Sequence, residues 1–103
     1  MAGVTYVFDR AYDDYSWYYE MTCQGTLFVG RMKSSAVYEV IETRASKENF
    51  ILEDQVIRLS SDKGSKDCPA YLRRVKIRRE EDGKVLVFIS NDLKRTAVEI
   101  AGM

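Results

Sequence analysis

The chain has 103 residues, and its sixteen basic and sixteen acidic side chains cancel. That length suits one domain with a real core but is short for a complete catalytic domain of most enzyme families. The charge balance removes any whole-molecule field that would draw in nucleic acid, so local charge must carry such an argument. Two well-separated cysteines and no histidine leave nothing from which to build a zinc site and fit a reduced, cytoplasmic protein. No apolar run approaches a membrane span, and no signal-peptide pattern precedes the first strand, so a soluble chain without membrane contact is expected.

Residues 4–8 form a nearly continuous apolar stretch that stops at Asp9, as a buried strand does when it delivers a carboxylate at its end. Residues 13–24 then read as a helix of about three turns, with Asp13 or Asp14 as N-cap and Gly25 as the C-terminal stop. Tyr15, Tyr18, Tyr19 and Thr22 share one helical face and are expected to pack on a sheet; a base-stacking platform is better served by exposed strands. Residues 26–33 form a second apolar run that turns basic at its end. Strand, helix and strand together predict a right-handed crossover with the two strands parallel.

Beyond residue 33 the pattern changes. Residues 37–41, 55–59, 72–79 and 84–90 read as strands with no helix between them, an antiparallel β region. Glu80, Glu81, Asp82 and Gly83 supply the turn of a hairpin joining the last two, with Gly83 free to take positive φ. Residues 60–67 are small and polar enough for a loop, followed by the single proline, Pro69. Asn91 and Asp92 are suited to cap a helix starting near Leu93, and residues 96–101 carry a helical pattern.

Asp9 is the candidate metal ligand, yet a carboxylate at a strand end is also an ordinary turn or cap residue. Metal-assisted phosphoryl chemistry needs several carboxylates, and the sequence offers Asp9 no convincing partners, Asp13 and Asp14 being explained by helix capping. Strand alternation places Arg74, Lys76 and Arg78 on one face and Arg73, Val75, Ile77 and Arg79 on the other. Such a basic stripe is suited to track phosphates, but the three acids in the following turn and the zero net charge favour a plain charged surface.

The run Val7-Phe8-Asp9-Arg10-Ala11-Tyr12, then Phe28-Val29-Gly30-Arg31-Met32-Lys33, then a β-rich stretch and Phe88-Ile89-Ser90-Asn91-Asp92, resembles bacterial insertion-sequence transposases of the DDE class. The resemblance is to the subgroup whose RNase-H-like catalytic core is interrupted by a β insertion, and it covers nearly the whole chain. It implies an α+β fold divided into part of the core (1–33), a β insertion (34–90) and the start of a helix returning to the core (91–103).

Carried over, Asp9 matches the second catalytic aspartate. The first belongs to an upstream strand and the glutamate to a downstream helix. The resemblance therefore implies a central fragment of a DNA transposase, inactive alone. Its intact form would bind two Mg²⁺ (or Mn²⁺) ions with three carboxylates and cut and join DNA at the ends of the element. Arg31 and Lys33 fall where the family has a basic strand end that would grip DNA, and Arg10 would face DNA or hold a carboxylate; the alternative for all three is an ordinary ion pair or solvated strand end. A small non-catalytic α+β module binding protein or nucleic acid is the other reading. Removing half of an RNase-H-like sheet predicts uncovered apolar strand edges at residues 4–8 and 85–89, and with them a homo-oligomer.

Overall fold

The computed structural model describes residues 5–11, 15–32, 36–46, 48–60, 66 and 70–101; Asp9 and Arg10 are described by their backbone only. Six strands form one sheet: β1 (Thr5–Ala11), β2 (Leu27–Arg31), β3 (Tyr38–Thr43), β4 (Ile51–Leu59), β5 (Tyr71–Arg78) and β6 (Val85–Ser90). Helix α1 (Tyr15–Cys23) connects β1 to β2, and a short helix α2 (Ala97–Ala101) follows β6. The sheet order is β1-β2-β6-β5-β4-β3. Among the described strands only the β1–β2 pair is parallel, and α1 supplies the long crossover that a parallel pair needs; the other neighbours are antiparallel.

The strands from both halves of the sequence thus share one sheet, sewn together where Val29, Gly30 and Arg31 of β2 face Ser90, Ile89 and Phe88 of β6. This corrects the expectation of an open edge at residues 85–89: β6 lies between β2 and β5 and pairs with both, with Ile89 buried while Val85 at its start stays 47% exposed. The edges are β1 and β3. The β5–β6 hairpin forms as its sequence predicts, with Gly83 at φ 71° and the Arg79 amide bonded to the Lys84 carbonyl at 2.8 Å.

Alternation along the strands sorts the core into two faces. Phe28, Ile57, Leu59, Leu72 and Ile89 face α1 and pack with Tyr18 and Met21, whereas Val29, Ile51, Val75 and Ile77 face α2 and pack with Ala97 and Ile100. The Tyr18 ring stacks on Phe28 with centroids 4.4 Å apart and planes at 10°. Gly25, at φ 73°, ends α1 in a Schellman arrangement, the Thr26 amide reaching the Met21 carbonyl at 2.9 Å. The packed side of α1 is narrower than expected. Tyr18 and Met21 are buried, but Tyr19 is 37% exposed, because the helix meets the sheet chiefly along β2.

Two boundaries also differ from the sequence expectation. β4 begins at Ile51 instead of residue 55, its acidic start being carried by partners across the sheet. No helix starts at Leu93: the Asp92 carboxylate accepts the Lys94 and Arg95 amides at 3.0 and 3.1 Å in a local turn, and α2 begins only at Ala97. The proposed caps Asp13 and Asp14, and Lys33, lie outside the described residues. Among the described residues no helix is long and apolar enough to cross a membrane.

Candidate functional site

Asp9 lies near the carboxyl end of β1. Val7 is in register with Val29 and Ala11 with Arg31, so Phe8, Asp9 and Arg10 together stand opposite the single residue Gly30. The strand therefore carries an irregularity at the one carboxylate singled out by sequence, and strand bulges commonly re-aim a side chain beside a functional site. The neighbouring end of β2 contributes Arg31, whose guanidinium carbon lies 5.7 Å from the Phe88 ring centroid. By alternation Arg31 shares the α2 face with Val29, and Val7, 54% exposed, sits on that face beside it.

The cations predicted on β5 lie elsewhere. Arg74, Lys76 and Arg78 occupy the α1 face, opposite to that of Arg31. Arg74 is nearly buried: it donates to Gln55 at 3.0 Å, pairs with Glu53 at 3.3 Å and lies 5.2 Å from the Tyr38 ring centroid. Lys76 approaches the same Glu53 carboxylate at 3.5 Å, and Arg78 is exposed at the strand end. One glutamate thus draws in two of the three cations of the stripe. Beyond it, Arg79 forks onto Asp82 at 3.1 and 2.6 Å. That bond and the Lys84 amide hold the Asp82 carboxyl down at about 2, and the same partner raises Arg79.

Sequence reasoning missed the polar groups that are truly buried. Arg73, 2% exposed, grips Asp54 of β4 through Nε and Nη2, the latter at 2.7 Å, while Nη1 donates to the Arg95 carbonyl. The signal was present: Arg73 falls in the alternation with Val75 and Ile77, and a charge on an apolar face must bring a partner with it. Asn91, half-buried, is a second polar group with a structural role that the sequence reading missed. Its Oδ1 accepts the Phe28 amide at 2.9 Å, and its Nδ2 donates to the Thr26 carbonyl at 2.8 Å and to Thr22 Oγ1 at 3.1 Å. Ser90 Oγ donates to the Phe28 carbonyl at 2.6 Å. Ser90 and Asn91 therefore fasten the start of β2 and the end of α1 to the end of β6.

Among the described residues no three cysteine or carboxylate groups converge as a metal site would require. Asp54 and Asp92, the buried carboxylates, are bound to Arg73 and to the turn before α2 respectively.

The chain is 36% identical over 107 residues to "Putative transposase y4zB" of Sinorhizobium fredii, a match covering 99% of this chain and 30% of that protein. It is thus related to that protein along almost its whole length while spanning about a third of it. No protein-family model matches the chain, and no solved structure matches it significantly.

Proposed function

We propose that this chain is the central part of the catalytic domain of a DNA transposase of the DDE class, built on an RNase-H-like core with a β insertion. The observation that carries this reading is the similarity, along 99% of the chain, to the transposase-named protein. The placement of Asp9 near the carboxyl end of a strand paired in parallel with β2 fits it, since α/β folds gather ligands there.

In this reading Asp9 supplies one carboxylate of the metal site, and the others come from parts of the intact enzyme outside these residues. The described residues alone do not fit a two-metal centre. The metal pair would supply charge stabilisation for phosphoryl transfer when bound. The chain's own contribution is to hold Asp9 on a strand locked to β2, with Arg31 nearby to bind a DNA phosphate. Arg10 and Lys33 are further candidates for that contact. Arg78, exposed at the end of β5, is the member of the stripe best disposed toward a phosphate, since Glu53 engages Arg74 and Lys76.

That same pairing favours the second reading, a small non-catalytic α+β binding module whose basic strand is a balanced surface. Incubating the isolated chain with DNA and Mg²⁺ tests the first. No nicking is expected; nicking abolished by Asp9→Asn would show a complete site within these residues. An upstream strand ending in aspartate and a downstream helix carrying a glutamate, in one reading frame with this segment, would distinguish the transposase from the module.

A further inference from the structure

We propose that Arg73 is a positioning residue, fixing the turn before α2 and thereby where the chain crosses the face of the sheet that bears Arg31. Its guanidinium joins three parts of the fold. Nε and Nη2 hold the Asp54 carboxylate on β4, the side chain stems from β5, and Nη1 donates to the Arg95 carbonyl, with the Asp92 carbonyl at 3.5 Å. Planar guanidinium is the side chain that can serve a carboxylate with one edge and a carbonyl with the other, which a lysine cannot do.

The turn has its own local bonds, the Asp92 carboxylate accepting the Lys94 and Arg95 amides and pairing with Arg95 Nε at 3.2 Å. Those bonds shape the turn but do not tie it to the sheet. Arg73 makes that tie from β5 and β4, and Arg44 adds one from beside β4, its Nη1 donating to the Leu93 carbonyl at 2.6 Å and its amide to the Asp54 carbonyl at 2.7 Å. Immediately afterwards Ala97 and Ile100 settle on Val29, Val75 and Ile77. The turn is the segment that leads into α2, so holding it fixes where Ala97 meets the sheet.

Burying an ion pair is a poor route to stability, because apolar residues of similar volume serve as well or better. Its retention here is explained by geometry: Asp54 and Arg73 place the exit of the chain, and an apolar pair would leave the Arg95 carbonyl without this donor. The functional weight of that placement rests on the transposase reading, in which the chain continuing from α2 approaches the site of Asp9. The test below uses neither DNA nor metal, so its failure would leave that reading standing.

Amide exchange measured on this chain provides the test, with Ile100 as the probe because its amide bonds to the Thr96 carbonyl at 3.1 Å. In the double variant Asp54→Leu/Arg73→Met, exchange at Ile100 is expected to accelerate on the order of tenfold while β4 and β5 keep their protection. In Arg73→Ala, millimolar guanidinium, far below denaturing concentration, is expected to restore Ile100 protection where sodium chloride does not. A folded double variant with Ile100 protected as in the parent would overturn the proposal, as would restoration by sodium chloride equal to that by guanidinium. Should Arg73→Ala not fold, Ile100 exchange in the double variant decides between the two outcomes by itself.

Discussion

The two faces of the sheet treat the same kind of side chain differently. On the α1 face Lys76 and Glu53 pair at the surface, both partly exposed, beside the buried Arg74 and flanking an apolar core centred on Tyr18 and Phe28. On the α2 face Arg73, the immediate neighbour of Arg74 in sequence, lies within the protein against Asp54. One strand therefore carries both an adjustable surface pair and a fixed internal one. The difference arises from depth: water screens the first, whereas the second has only protein donors and acceptors to satisfy it.

Single substitutions should expose this contrast most strongly at Arg73. Arg73→Met leaves Asp54 buried without its cation and is expected to cost about 3–5 kcal/mol in urea unfolding, whereas the apolar double variant with Asp54→Leu returns close to parental stability. Equal losses in the single and double variants would dissolve the distinction between the faces. Tyr18→Ala, which removes a fully buried ring and its stack on Phe28, is expected to lower stability by about 3–5 kcal/mol at the other face.

Asn91→Ala should lie below both, at about 1–3 kcal/mol, because it removes the acceptor of the Phe28 amide bond and a donor to the Thr26 carbonyl; exchange at Phe28 would accelerate with it. Lys76→Ala should change stability by less than about 1 kcal/mol, an effect that shrinks further in added salt. A loss comparable to that of Arg73→Met would show that the surface stripe is not a screened pair.

The smallest effect belongs to the hairpin. Asp82 has its carboxyl lowered from 3.8 to about 2 by the Arg79 hydrogen bond. Its contribution is therefore complete above the unfolded carboxylate value and disappears as pH falls through about 2. A carboxyl titration by NMR should find that midpoint, and Arg79→Ala should move it upward.

Much of this architecture was legible. The strand-helix-strand opening, the parallel β1–β2 pair, Gly25 and the Gly83 hairpin followed from apolar periodicity and turn chemistry, which act locally. What escaped depended on partners distant in sequence. Residues 51–54 read as non-strand because Glu53 and Asp54 are poor strand formers, yet β5 neutralises them across the sheet. Asn91 read as a helix cap because Asn commonly is one; its actual bonds reach back to Phe28, Thr26 and Thr22.

Pairing order was equally hidden, so β6 was expected at an edge and lies inside. Among the edges, β3 keeps Val40 and Ile41 exposed but carries a register shift between Val40 and Glu42, with Glu39 bound to Arg58 and Glu42 to Arg44. A bulge and charges on an edge discourage further strand pairing, which bears on the proposed self-association. Of the candidate site, sequence located Asp9 and Arg31 on neighbouring strand ends but gave no sign that the basic stripe would occupy the opposite face.

Asp9 decides the functional reading. If the proposed transposase reading holds, a full-length enzyme carrying this segment would show Mg²⁺-dependent DNA strand cleavage that falls to background in Asp9→Asn while DNA binding, followed by mobility shift, stays at the parental level. Cleavage retained by a folded Asp9→Asn protein would contradict the assignment of Asp9 as a metal ligand and return it to an ordinary strand residue.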